Sequence, residues 1–133
     1  DHSLLRSALE EYNRLDPAVS FLFRVVKEAT SLGNEDLKAG DVVFIANHAI
    51  NRDPMVFENP DLCNIRRKRN PHMAYGFGPH VCLGAKLARI QMQSCFSAIL
   101  ESFPNLRLHP DKPSIRKHHS LAFSGFDKLW LKP

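Results

Sequence analysis

The sequence predicts an α+β chain, mainly helical, and three observations carry that prediction. Residues 3–15 set Leu4, Leu5, Ala8, Leu9 and Tyr12 at helical spacing. Residues 83–102 form a second helical stretch that opens on a run of good helix formers from Ala85 onward. Between and after these, short runs of β-branched and aromatic residues alternate with glycine and proline turns, as small strands do. With 133 residues, 44% of them hydrophobic and 24% charged, the chain suffices for one modest core and a soluble globular form. It shows no internal repeat and no second domain.

Cys63, Cys82 and Cys95 are odd in number and not closely paired. That argues against a disulfide framework or a zinc cluster and for a reducing, cytoplasmic compartment. A formal net charge of +4 suits an acidic protein partner about as well as a nucleic acid. No apolar run is long enough to span a bilayer, and no secretory signal opens the chain. Because it begins with Asp, it is expected to be a piece of something longer.

In chain order, Leu15 continues the first helical stripe and Asp16-Pro17 ends it, since a residue before proline avoids the α region. Glu11 and Arg14 stand three apart and can pair. On an exposed face such a pair contributes less than about 1 kcal/mol. Residues 17–26 read as a strand in which Arg24 interrupts an apolar run; at an edge its guanidinium would reach water. Residues 31–34 and 38–41 read as turns between short strands, the clearest a buried one at 42–47. Pro54 suits the first turn of a short helix. Residues 57–71 have no clear period. Within them the basic run Arg66-Arg67-Lys68-Arg69 reads as a solvated face or as a nucleic-acid patch.

Next comes Tyr75-Gly76-Phe77-Gly78-Pro79-His80-Val81-Cys82-Leu83-Gly84. Gly76, Gly78 and Pro79 rule out a regular helix before Cys82, and Gly78 can take a positive φ. Cys82 therefore lies near the N-terminus of the following helix, where amide N–H groups and the dipole favour a thiolate. Taken alone, Cys82 reads as a small buried hydrophobe and His80 as a polar surface group. A phenol at Tyr75 needs a hydrogen-bond partner if buried. The helix beyond carries Leu83, Leu87 and Ile90 on one stripe and Ala85, Ala88, Met92, Cys95 and Ile99 on another, a pattern that predicts deep burial with Cys95 in the core. Phe103-Pro104 ends it. A short strand is expected at 106–108, and two strands at 118–131 around Ser124-Gly125. His118 and His119, neighbours on a strand, would point apart and be solvated.

The pattern Tyr75, Gly78, Cys82, Gly84 resembles the haem-binding signature of the cytochromes P450, aromatic-x-x-Gly-x-x-x-Cys-x-Gly, with Tyr where the family usually has Phe. Glu11-x-x-Arg14 matches the family's Glu-x-x-Arg motif, ahead of the cysteine loop as expected. The order of hairpin, Ala-Gly-Asp turn, strand and Asn51-Arg52-Asp53-Pro54 is similar to soluble bacterial members. The resemblance runs from Glu11 to the last hairpin. It implies the C-terminal part of the P450 fold over residues 1–133: the Glu-x-x-Arg helix, a small sheet, a meander, the cysteine loop with its helix, and a final hairpin. The family's meander arginine would fall at Leu62, followed by Cys63 where it has Phe. Neither matches, which leaves Arg66 or Arg67 as a substitute.

The same resemblance implies haem b (iron protoporphyrin IX) with Cys82 as the axial thiolate, a ligand that pushes electron density onto the iron. It implies that Arg24 and His80 hold the propionates and that Tyr75, Gly76, Gly78, Gly84 and Ala88 lie against the macrocycle. Glu11 and Arg14 become a buried structural lock. Val19, Phe21 and the rest of 19–23, with Phe123 among residues 122–125 at the hairpin tip, face the substrate. The implied activity is a monooxygenase that takes electrons from a ferredoxin- or flavoprotein-type donor and inserts one oxygen atom from O2 into a small organic substrate. The basic run would steer an acidic donor. The distal helix that supplies protons in the family has no counterpart in these residues. The chain alone is therefore expected to have little activity and to need a second chain or self-association over that side. A non-catalytic haem binder or sensor built on the same cysteine is the alternative. A nucleic-acid module rests on charge alone and lacks interleaved aromatics, so no nucleic acid is expected as a partner.

Overall fold

A computed structural model describes residues 2–117 and 120–133; the expectation for His118 and His119 lies outside them. A 3-10 turn at His2–Leu4 leads into helix α1, Leu5–Leu15. It stops where predicted, with the Asp16 N–H capping the Tyr12 carbonyl at 2.8 Å. Strand β1 (Phe21–Val25) pairs antiparallel with β4 (Val42–Ala46), Phe23 opposite Phe44. Between them β2 (Thr30–Leu32) and β3 (Glu35–Leu37) form a hairpin whose turn uses Gly33 at φ 62°, a conformation glycine adopts without steric cost. A one-turn helix α2, Asn47–Ile50, follows.

The helix expected after Pro54 is a single turn instead. Asp53 accepts from the Val56 and Phe57 N–H groups, its side chain caps Met55, and the segment then turns away. After an irregular stretch comes the 3-10 turn Gly78–His80, then helix α3, Ala85–Ser102, two residues later than predicted. Its start is delayed because residues 82–84 are still a turn, closed by the Ala85 N–H on the Cys82 carbonyl at 3.1 Å. α3 packs on α1.

The C-terminal segment differs from the reading of two strands around Ser124-Gly125. β6 (Ile115–Arg116) pairs with β7 (Phe126–Lys128), and β5 (Arg107–Leu108) pairs with β8 (Leu131–Lys132). Residues 122–124 pair instead with the approach to β1. Ser20 N–H meets the Ala122 carbonyl at 2.8 Å, Ser124 N–H meets the Ala18 carbonyl at 2.9 Å, and Val19 bridges Phe123. Local alternation suggested a hairpin, but the strand partner came from 100 residues upstream.

Burial inverts the expectation for the apolar stripes. Among the described residues, the buried hydrophobic side chains are Leu5, Leu9, Phe57 and Ala85, whereas Glu11, Asn13, Arg14, Asn47 and Asn51 are also buried. Leu83, just before α3, and Leu87, Ile90 and Cys95 along it are exposed, and so are Val42 and Phe44 of β4. Deep burial of α3 and β4, and a core position for Cys95, therefore do not hold within this chain: α1 covers one face of α3 only. The accessible surface is 10296 Å² for 15.1 kDa, against about 7,100 Å² for a compact monomer of that mass. Among the described residues no helix is long and apolar enough to cross a membrane.

Candidate functional site: the cysteine loop and its ionic supports

The loop before α3 is closed by its own backbone. The Cys82 N–H donates to the Tyr75 carbonyl at 2.8 Å, and the Val81 N–H to the Gly78 carbonyl at 3.1 Å. Gly76 and Gly78 sit at φ 78° and 70°, which other residues adopt only with strain. A Cβ on Gly76 would also stand 3.5 Å from the His80 carbonyl oxygen. Cys82 is exposed, and a Cβ on Gly84 would lie 3.9 Å from its Sγ. The bare glycine thus keeps one flank of the sulfur clear.

Cys82 and His80 share an open cavity of about 250 Å³ with Tyr75, Gly76, Val19, Leu22 and Asn47, among others. The loop and β1 therefore meet across one largely apolar space. Strand alternation puts Arg24 on the same face as Leu22, about 7 Å further along. Its guanidinium is exposed and donates to the Phe23 carbonyl at 2.8 Å. Phe21 takes the opposite face, edge-on to Phe44 with ring centroids 5.4 Å apart. Phe123 is 59% exposed and bridges Val19 without lining this cavity. Ala88 lines a neighbouring hollow of about 240 Å³ with Tyr75, Ala74 and Met92, so Tyr75 stands between the two spaces.

Two consecutive glutamates of α1 hold this region, each on its own side. Glu11 and Arg14 are fully buried and form a bidentate pair, both contacts 2.8 Å. Arg14 spends its other N–H groups on the carbonyls of Asn51, Pro60 and Leu62, at 2.8, 2.6 and 3.2 Å. Glu11 also accepts from the Asn64 N–H at 2.9 Å, from Asn70 Nδ2 at 3.1 Å and from Arg67 Nε at 3.2 Å. Both guanidinium groups lie over Phe57, 5.1 Å away for Arg14 and 5.8 Å for Arg67. Burial by itself would raise the Glu11 pKa, but the Arg14 hydrogen bonds, the Asn64 N–H and the two guanidinium charges outweigh it and hold the carboxyl at about 2.

Of the two arginines Arg66 and Arg67, it is Arg67 that reaches Glu11, while Leu62 contributes only a backbone carbonyl. The basic run is not uniformly solvated: Arg67 is 10% exposed at its side chain, while Arg66, Lys68 and Arg69 are exposed.

Glu10 turns the other way. It receives Arg89 of α3 at 2.7 and 3.0 Å and His72 Nε2 at 2.9 Å. Burial would raise its pKa, but these partners bring it below the ordinary carboxylate value. His72 Nδ1 accepts from the Ala74 N–H at 3.3 Å. The Arg89 guanidinium lies 4.4 Å from the Tyr75 ring centroid. The phenol has the partner it needs: Asn13 Nδ2 donates to it at 3.3 Å. Burial pushes the Tyr75 pKa up, so the phenol stays neutral. Sequence reasoning did not single out Glu10, Asn13, Asn47, His72 or Arg89. Each is a lone polar residue whose partner lies far along the chain, so no local pattern marks it.

The end of α1 is tied to the C-terminal segment as well. Asp16 accepts from Arg116 at 3.0 and 3.1 Å and from Ser124 Oγ at 2.9 Å.

Known proteins resemble this chain in sequence and fold. A family model described as Cytochrome P450 matches residues 2–124. Cytochrome P450 107B1 of Saccharopolyspora erythraea is 38% identical over 134 residues, covering 100% of this chain and 33% of that protein. Polyketide biosynthesis cytochrome P450 PksS of Bacillus subtilis is 36% identical, covering 95% of this chain and 31% of that protein. Among solved structures, CYP109E1 from Bacillus megaterium in complex with corticosterone superposes with a TM-score of 0.91 at 36% identity, covering 97% of this chain and 34% of that one. P450BioI, solved with a fatty-acid-ligated acyl carrier protein, gives 0.93 at 31% identity, covering 98% and 34%. The chain thus spans about a third of the length of these relatives.

Proposed function

The chain belongs to the cytochrome P450 family, which binds haem b, and from that premise we propose that it forms the sulfur side of the haem site in a haem-thiolate monooxygenase. One observation carries this reading. Cys82 stands exposed at a glycine-flanked turn and shares a largely apolar cavity with His80, Val19 and Leu22. The donor set fits the group: one soft sulfur ligand, bare glycine beside it, and apolar walls for a flat macrocycle. When bound, the haem iron supplies the activation of O2 from which one oxygen atom enters an organic substrate.

The residues of this chain have separate tasks. Cys82 provides the thiolate, and its N–H, held by the Tyr75 carbonyl, fixes the backbone that carries the sulfur. His80, on the cavity wall, and Arg24, on the Leu22 face of β1, are assigned to the carboxylate arms of the macrocycle, which guanidinium and imidazole bind well. Gly76 and Gly78 make the turn; Gly84 and Ala88 leave room; Tyr75 supports the loop from beneath. Val19 is the substrate-side residue best supported, since it lines the cavity. Phe21 and Phe123 would need to turn toward it. Glu11 and Arg14 hold the fold and touch no reactant.

The exposed Arg66, Lys68 and Arg69 suit an acidic electron donor of the ferredoxin or flavoprotein kind. The excess surface suits cover by a second chain or by self-association. A cytoplasmic location fits the three unpaired thiols. The 133 residues alone are expected to show little turnover.

The test is substrate-dependent NADPH consumption with a reductase and donor, together with incorporation of one atom of labelled O2 into product. A longer protein carrying this chain should show both. Haem binding without either, in the presence of candidate substrates, would favour a haem binder or sensor.

A further inference from the structure

We infer that Glu10 is a positioning residue for the cysteine loop, acting through Arg89 and His72, and that this role is separate from that of Glu11. Successive helix positions are turned by about 100°, so the two carboxylates face different parts of the chain. Every side-chain partner of Glu11 beyond α1 lies in residues 64–70. The partners of Glu10 are His72, at the entry to the cysteine loop, and Arg89, on the first turns of the helix that follows it.

From Arg89 the contact continues to the loop itself. Its guanidinium is gripped at one edge by Glu10 and lies against the Tyr75 ring at 4.4 Å. The ring is fixed at its far end by Asn13. The carbonyl of the same Tyr75 receives the Cys82 N–H. His72 adds a second route: Nε2 meets Glu10 while Nδ1 holds the Ala74 N–H. One carboxylate thus fixes both the residue before the loop and the helix after it. Among the described residues Glu11 has no contact of this kind: its guanidinium partners end on the backbone carbonyls of Asn51, Glu58, Pro60 and Leu62.

The role of the loop rests on the proposed haem reading, but the positioning can be tested without haem. Amide hydrogen exchange, resolved by residue, is measured on the whole chain as wild type, Glu10→Gln and Glu11→Gln. Glu10→Gln should raise exchange at the Cys82 and Ala85 amides by about tenfold, the order expected when hydrogen bonds to a charged group are weakened. The Asn64 and Arg67 amides should stay within twofold. Glu11→Gln should reverse the pattern. If Glu10→Gln does not fold, Arg89→Gln, at a 40% exposed side chain, should give the same loop-specific rise and Arg89→Lys a smaller one. An unchanged Cys82 amide, or an equal rise in both regions, would overturn the inference. A second arm adds haem and carbon monoxide. A normal thiolate band in the wild type that Glu10→Gln keeps over the same pH range would leave the haem reading standing and count against Glu10; the expected result is a band that survives over a narrower pH range in Glu10→Gln than in the wild type.

Discussion

The α1–meander junction and the outer face of α3 are built on opposite rules. At the junction, charged groups are buried and every strong contact is polar: Glu11, Arg14 and Arg67 interlock, with both guanidinium groups over the Phe57 ring. Along α3, Leu87 and Ile90 lie open to solvent, as does Leu83 just before it. The difference teaches that the apolar pattern of a sequence says which faces are to be covered, not that the same chain covers them. What fastens this chain to itself is a directional network whose partners are mostly backbone groups. That network shapes residues 51–70 without needing a continuous apolar core.

The comparison breaks most sharply at the buried pair. Arg14→Ala or Glu11→Ala leaves one charge buried without its counter-charge, a change that costs about 3–5 kcal/mol and that urea or thermal unfolding would register as loss of most of the fold. A small effect would mean the junction is not what holds the chain.

Acid should reach the same carboxylate more gently. With its folded pKa at about 2 against an ordinary 4.5, Glu11 contributes stability that is complete above about pH 4.5 and is lost as pH falls toward 2. Glu10 and Asp16, also lowered, act in the same direction. Thermal stability measured from pH 6 to 2 should fall across that window, and Glu11→Gln should flatten the fall. Arg67→Ala removes one arm only. It should cost about 1.5–3 kcal/mol, the range for hydrogen bonds to charged groups, and Arg67→Lys should recover part of it. At the other extreme, Leu87→Lys with Ile90→Lys should change stability by less than about 0.5 kcal/mol per site. The same pair should lower the mass seen by sedimentation if chains cover one another there. Unfolding of that variant would erase the contrast between the two regions.

Much of this molecule was legible in the residues. Glycine and proline placed the turn before Cys82, and the Asp16-Pro17 stop placed the end of α1, because both act through local backbone sterics. The Glu11-x-x-Arg14 spacing put both groups on one side of a helix. The rest was not legible. Beyond Glu11, the partners of Arg14 are carbonyl oxygens, which every residue carries, so nothing marks Asn51, Pro60 or Leu62. The pairing of residues 122–124 with 18–20 is a contact across 100 residues, and the local alternation around Ser124-Gly125 mimicked a hairpin. The burial of α3 was misread because an apolar helix looks the same whether its cover lies within the chain or outside it. The sequence also left Arg66 and Arg67 equivalent, and only the structure separates them: Arg67 faces Glu11 and Arg66 faces solvent.

Cys82 as an anionic iron ligand is the claim on which the functional reading depends, and the absorption spectrum of the haem-loaded, reduced chain under carbon monoxide tests it most directly. Thiolate ligation requires a strongly red-shifted Soret band in the wild type that disappears in Cys82→Ser. A wild-type spectrum without that band, or one that the serine variant reproduces, would contradict it.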